Sequence, residues 1–231
     1  MSSWNWLVDE TTGALMIRVL VTRAREDADR LARALERAEL EPRVCPLIAT
    51  QALAGPSRDA SEFAWVVFTS RAGVRYGLKR LSGSLPRVAA IGPGTAEALG
   101  ECGVAVDLIP PVHTQQGLVS ALGPAAGPIL FPGAEQAGSE LAETLGAVHL
   151  AVYRTVELAL AEVPDADIAV LASASAARSL ASHRTDIPCV TIGPSTSREA
   201  SRCGLTTLCE ARSSDLGGLV EAVRLAASRL P

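Results

Sequence analysis

Aromatic side chains are scarce in this chain. Three Phe, three Trp and two Tyr give 3% of 231 residues, although 48% are hydrophobic. A core must therefore be built from Leu, Val, Ile and Ala. No apolar stretch approaches the ~20 residues that a membrane span requires. Basic runs are missing too: the formal net charge is −4 and Arg and Lys are scattered, so nucleic-acid binding has no electrostatic footprint. The three histidines, His113, His149 and His183, stand far apart without metal-ligand spacing, which argues against a metal site. Cys45, Cys102, Cys189, Cys203 and Cys209 form no CxxC, and most adjoin apolar runs, as reduced core cysteines do. There is no G-x-S-x-G elbow, Walker loop or GxGxxG. The opening MSSWNWLVDETTGAL has no basic n-region and an acidic middle, so it does not read as a signal peptide. Residues 1–16 are expected to form a loose extension, and the location is expected to be cytoplasmic.

What the chain does have is a repeat. WVVFTSRAGVRYGLKRL, RVAAIGPGTAEALGECGVAVDLIP and QGLVSAL recur later as IAVLASASAARSLASH, PCVTIGPSTSREASRCGLTTLCE and GGLVEAV. Gly92 and Gly193 lie 101 positions apart, as do Gly103 and Gly204, and Gly117 and Gly218. A register held this long implies two similar units with the ligand's place between them. A weaker match links VLVTRAREDADRLARAL (19–35) to ILFPGAEQAGSELAETL (129–145). In the first, Leu31, Ala34, Leu35 and Ala38 form a helical stripe, and in the second Leu141, Thr144 and Leu145 do. The runs WVVF, VAAI, ILF, IAVL and CVTI are unbroken apolar segments separated by helical patterns, which indicates a parallel sheet buried on both faces. The fold class is α/β, with room for two domains of roughly 100 residues.

Chemistry is to be sought at helix starts. Gly92-Pro93-Gly94-Thr95 and Gly193-Pro194-Ser195-Thr196 each follow a buried strand, and proline is pre-shaped for the first helical position. Thr69-Ser70 and Ser173-Ala174-Ser175 repeat the arrangement one strand earlier. Hydroxyls of this kind cap helices whatever the function. Four such ends in symmetric positions, with free N–H groups, would also make an anion-binding cleft at the carboxyl ends of the strands.

The ordered set VLVTR (19–23), PLI (46–48), FTS (68–70), AAIGPGTAEAL (89–99), VYRTV (152–156), TIGPSTSREA (191–200) and GLVEAV (218–223) resembles the uroporphyrinogen-III synthase family. The resemblance implies cyclisation of linear hydroxymethylbilane to uroporphyrinogen III with inversion of ring D, without cofactor or metal. It implies two flavodoxin-like domains and a cleft between them: residues 17–43 with 158–231, and residues 52–148, joined by a two-stranded linker of 44–51 and 149–157. A monomer is expected, with hydroxymethylbilane synthase as a transient partner. Tyr153, from VYxT, is implied as the catalytic contact to the departing hydroxyl, although a buried tyrosine can equally be interdomain packing. Arg23, Ser70, Arg71, Gly94, Thr95, Ser173, Ser175, Arg178, Ser195 and Thr196 are the implied substrate-binding positions. Phe131-Pro132-Gly133-Ala134-Glu135 has no arginine where many members place one, so Arg71 or Arg178 would take over carboxylate binding. Two rivals remain open: a bilobed small-molecule-binding or regulatory domain of the same fold, and another two-domain transferase acting on a polyanion.

Overall fold

A computed structural model describes residues 16–124, 126–138, 140–160 and 162–230. The expected N-terminal extension, Met16 apart, lies outside the described residues. In chain order the strands are β1 (Arg18–Val21), β2 (Glu41–Val44), β3 (Ile48–Ala52), β4 (Arg58–Asp59), β5 (Trp65–Phe68), β6 (Leu81–Ser82), β7 (Arg87–Ala90), β8 (Ile129–Ala134), β9 (Val148–Glu157), β10 (Ile168–Leu171), β11 (Cys189–Thr191) and β12 (Thr207–Glu210). The helices are α1 (Arg25–Glu36), α2 (Arg71–Gly77), α3 (Pro93–Glu101), α4 (Gln115–Leu122), α5 (Glu140–Leu145), α6 (Ala174–His183), α7 (Pro194–Arg202) and α8 (Leu216–Ala227).

Two five-stranded sheets result. The first is wholly parallel, in the order β12-β11-β10-β1-β2. The second runs β3-β9-β8-β5-β7, with Leu108 bridging Ala89 beyond β7. It is parallel except for β3, which pairs antiparallel with the far end of β9, from Ile48 opposite Glu157 to Ala52 opposite Tyr153. The spatial order β9-β8-β5-β7-Leu108 reproduces β2-β1-β10-β11-β12 of the first sheet. The sequence repeat is thus a structural one, permuted along the chain.

Solid apolar strands follow from this covering. In β1, Val19 and Val21 pack with Leu31 and Leu35 of α1 and Leu219 and Val223 of α8, while Leu20 packs with Ala176 and Leu180 of α6 on the other face. In the second sheet Val66 and Phe68 meet Val74 and Leu99, and Trp65 and Val67 meet Leu118 and Leu141. Alternate side chains go to opposite faces, and both faces are dry, so every position must be apolar. The α1 stripe differs slightly from its sequence reading. Ala28, Leu31, Ala32 and Leu35 are buried, whereas Ala34 and Ala38 are only partly so, because the contact face is centred one residue earlier.

The repeated glycines have separate causes. Gly103 (φ 74°) and Gly204 (φ 77°) end α3 and α7 in the left-handed region, and the amides beyond them, Val104 and Leu205, donate back to Leu99 O and Ala200 O. That is the Schellman ending. Gly117 and Gly218 lie in the first turns of α4 and α8, where Thr114 and Asp215 cap their amides. A Cβ there would stand 1.9 Å from Val112 O and 2.2 Å from Ser213 O, so only glycine fits. No helix among the described residues is long and apolar enough to cross a membrane.

Candidate active site

A cavity of about 370 Å³ is lined by residues that follow strand ends of both sheets. Arg23 and Ala24 follow β1, Thr69 and Ser70 follow β5, and Ile91 to Thr95 follow β7. Ala172 and Ser173 follow β10, and Ser214 to Leu216 follow β12. Carboxyl ends of parallel strands are where open α/β sheets bind ligands, because helix starts and their amides gather there.

Tyr153 sits at a junction within β9. Its pairing with β8 ends there, opposite Ala134, and its pairing with β3 begins there, opposite Ala52. The ring is 8% exposed and stacks on Tyr76 at 5.6 Å between centroids. A chain with two tyrosines has put them against each other. The Tyr153 hydroxyl lies 3.1 Å from Ser70 Oγ, which also accepts the Gly73 amide at 2.9 Å and so caps α2. Tyr76 is anchored by donating to Thr50 O at 3.1 Å. Burial raises the Tyr153 phenol above the ordinary tyrosine value; the Ser70 hydrogen bond opposes this, and Asp27 adds to the rise. The phenol is therefore protonated at neutral pH and can donate.

Seven of the eleven residues singled out in the sequence line the cavity: Tyr153, Arg23, Ser70, Arg71, Gly94, Thr95 and Ser173. Ser175, Arg178, Ser195 and Thr196 do not. Ser175 hydrogen-bonds Ser173 Oγ at 3.0 Å, and Arg178, its side chain 44% exposed, pairs with Glu199 at 3.1 Å and Glu157 at 3.5 Å. Ser195 is exposed to solvent and Thr196 is buried. Of the four symmetric helix starts, three reach the cavity. The fourth, at Gly193–Thr196, contributes only the preceding Ile192, and the β12–α8 turn takes that side of the wall.

The amides after the prolines are not all free. Thr95 N and Ala96 N both donate to Gly92 O at 3.1 Å, and Thr196 N and Ser197 N do the same to Gly193 O. Ser70 and Ser173 act as N-caps, accepting from Gly73 and Ala176. Capping and a place on the cavity wall coexist in the same side chains.

The charged wall holds more than the two arginines expected from the sequence. Arg71 donates to Gly94 O at 2.9 Å and Glu101 at 2.7 Å, with Asp27 3.7 Å away. Arg23 is pulled below its ordinary value by burial, against the attraction of Asp27. Arg30, also on the wall, binds Glu97. His113 and Asp215, both on the wall, lie 3.8 Å apart, and the His113 ring packs close to Gly92. Asp27, Arg30, His113 and Asp215 escaped the sequence reading. The one available signal was the repeat itself, which aligns Asp215 with Thr114 as helix caps. Among the described residues, no three His, Cys, Asp or Glu side chains gather as a metal-binding group.

A family profile described as Uroporphyrinogen-III synthase HemD matches residues 29–221. The chain belongs to the uroporphyrinogen-III synthase family. The fold agrees with solved family structures. A uroporphyrinogen-III synthetase from Helicobacter pylori superposes with a TM-score of 0.64 at 17% identity, over 93% of this chain and 99% of that one. A mutant uroporphyrinogen III synthase from the extremely thermophilic bacterium Thermus thermophilus gives 0.53 at 16% identity, over 93% and 100%. A Methanothermobacter thermautotrophicus protein provisionally named as a uroporphyrinogen-III synthase is 40% identical over 79 residues, 32% of this chain. That match spans about a third of the curated relative, 31% of its length.

Proposed function

We propose that this chain converts linear hydroxymethylbilane into uroporphyrinogen III, acting as a cyclising lyase without a cofactor. The observation that carries the reading is the Tyr153 phenol, protonated, hydrogen-bonded to Ser70 and facing a cavity at the carboxyl ends of both sheets. The substrate loses its hydroxyl, with a proton, as water, leaving an azafulvene. Ring D then attacks through its substituted carbon to give a spiro intermediate, which fragments and recloses with ring D inverted. Tyr153 donates the hydrogen bond that lets hydroxide leave. Ser70 holds the phenol in place. The cavity's other task is orientation, since spontaneous closure gives the wrong isomer.

In this reading the chain has two lobes, residues 17–43 with 158–231 and residues 52–148. Segments 44–51 and 149–157 form the two-stranded link, and the antiparallel pairing of β3 with β9 supports it. Such a link permits opening and closing around a ligand. Substrate carboxylates are received by Arg23, Arg71, Gly94, Thr95 and Ser173. We place the enzyme in the cytoplasm as a monomer that takes substrate from hydroxymethylbilane synthase.

The test is incubation of the purified chain with enzymatically generated hydroxymethylbilane, followed by separation of isomers I and III. Predominant isomer III is expected. Isomer I alone, at the spontaneous rate, would leave the fold as a binding module.

A further inference from the structure

Three guanidinium groups surround one carboxylate beside the cavity. Asp27, in the first turn of α1, lies 3.6 Å from Arg75, 3.7 Å from Arg71 and 4.0 Å from Arg23. Arg23 belongs to the β1–α1 turn, Asp27 to α1, and Arg71 and Arg75 to successive turns of α2, so the cluster joins elements hung on different sheets. The separations are long. Charge-assisted hydrogen bonds run to about 2.7–2.9 Å. Asp27 Oδ1 is buried without a hydrogen-bond partner, and so is Arg75 Nη1. Asp27 is held by charge and makes no hydrogen bond to the three arginines. The Arg71 Nη groups go instead to Gly94 O and Glu101, which leaves Arg71 Nε toward Asp27. The Asp27 side chain is 14% exposed and lines the cavity. Each guanidinium carries five donors in a fork matched to a carboxylate. One short side chain anchored to a helix cannot reach them all.

We propose that Arg23, Arg71 and Arg75 form a carboxylate subsite that Asp27 occupies in the free chain and that an entering ligand carboxylate takes over. This rests on the polycarboxylate substrate proposed above and deepens it. A mobile ligand carboxylate can close to hydrogen-bond distance on Arg71 Nε and on Arg75, which Asp27 does not. Displaced, Asp27 retains its favourable place at the N-terminal turn of α1. Asp27 thus competes with the ligand and, with Glu101 on Arg71, balances the like charges when no ligand is present.

The experiment titrates the intact chain with uroporphyrin III, which carries the product's carboxylates and does not turn over. Benzenehexacarboxylate serves as a second polyanion of unrelated shape. Asp27→Asn removes the competing charge and keeps the side-chain volume; Asp27→Ser replaces it should the first variant misfold. Both ligands should bind the variant on the order of tenfold more tightly than the parent, as loss of one charge about 4 Å away in a partly screened site allows. Arg75→Gln should cancel that gain, and added salt should shrink it. Weaker binding in Asp27→Asn would overturn the proposal, because Asp27 would then be a support for the arginines. Unchanged binding would overturn it as well, leaving the cluster an ion-pair contact between the lobes. Should benzenehexacarboxylate follow the expected pattern while uroporphyrin III fails to bind even the parent, the subsite stands and the tetrapyrrole reading falls.

Discussion

Tyr153 owes its character to neighbours that are remote in sequence. Ser70 is 83 residues away and Tyr76 lies against the ring face. Tyr153→Phe retains that stack and removes only the donor. Turnover is expected to fall by roughly ten- to a thousandfold, the range of one positioned acid or somewhat below it. The melting temperature should hardly move, and the product should drift toward isomer I as spontaneous closure competes. Wild-type turnover in this variant would reduce Tyr153 to packing. Because burial raises the phenol, the rate should show no loss from Tyr153 ionisation at neutral or mildly alkaline pH. Ser70→Ala removes a helix cap as well as the phenol's partner, so both stability, by about 1 kcal/mol, and turnover should drop. Ser195→Ala, at an exposed position off the cavity wall, should leave the Michaelis constant where it is, while Thr95→Ala should raise it.

Among the elements, α4 and α8 show why the repeat keeps its glycines. Their first turns fold back so that Val112 O and Ser213 O press on Gly117 and Gly218. Backbone carbonyls cannot swing aside like a side chain. Gly117→Ala and Gly218→Ala should each cost about 1–3 kcal/mol, the usual penalty of overpacking, read as a lower melting temperature. Gly100 in α3 is the control, since nothing lies within 4 Å of the Cβ it would gain. Gly100→Ala should stabilise by roughly 0.5–1 kcal/mol through helix propensity. If all three variants melted alike, close approach would not be the reason for the aligned glycines.

Acid stability draws on carboxylates paired with arginine, one across the fold and one within a single turn. Asp167 takes the Arg18 guanidinium at 2.7 Å and the Arg18 amide at 2.8 Å, pinning the start of β1 beside β10. Those hydrogen bonds hold its carboxyl below the ordinary value of 3.8. Asp186, beside Arg184, is lowered to about 2. A depressed folded-state value favours the folded protein above the unfolded value, and that contribution fades as pH falls through the folded one. Stability should therefore be level from neutral pH down to about 4 and decline toward pH 2. Asp167→Asn should melt lower at neutral pH and show a shallower acid decline. An unchanged slope would remove Arg18–Asp167 from the account. Activity should also survive chelator and exhaustive dialysis. Loss on chelation with recovery on adding a metal back would contradict the proposed cofactor-free chemistry.

Short-range physics was legible in the residues alone. Solid apolar runs implied strands covered on both faces, and β5, β8, β10 and β11 are such strands. Proline after glycine marked the starts of α3 and α7, since its ring presets the first helical turn. These signals depend on neighbours a few positions apart, which a sequence displays directly. Arg23 and Arg71 of the charged wall were reached through the family resemblance, but the company they keep was not legible. Asp27, Arg71 and Arg75 meet only because one sheet is set against the other, with β3 joining the far end of β9. The same packing brings Ser70, Thr95 and Ser173 to the cavity and leaves Ser195 and Thr196 off its wall, although the two Gly-Pro helix starts look equivalent in the repeat. Local pattern decides that a helix begins at a given proline. Which of those beginnings face a common space depends on the relative setting of two sheets, and no local pattern encodes that.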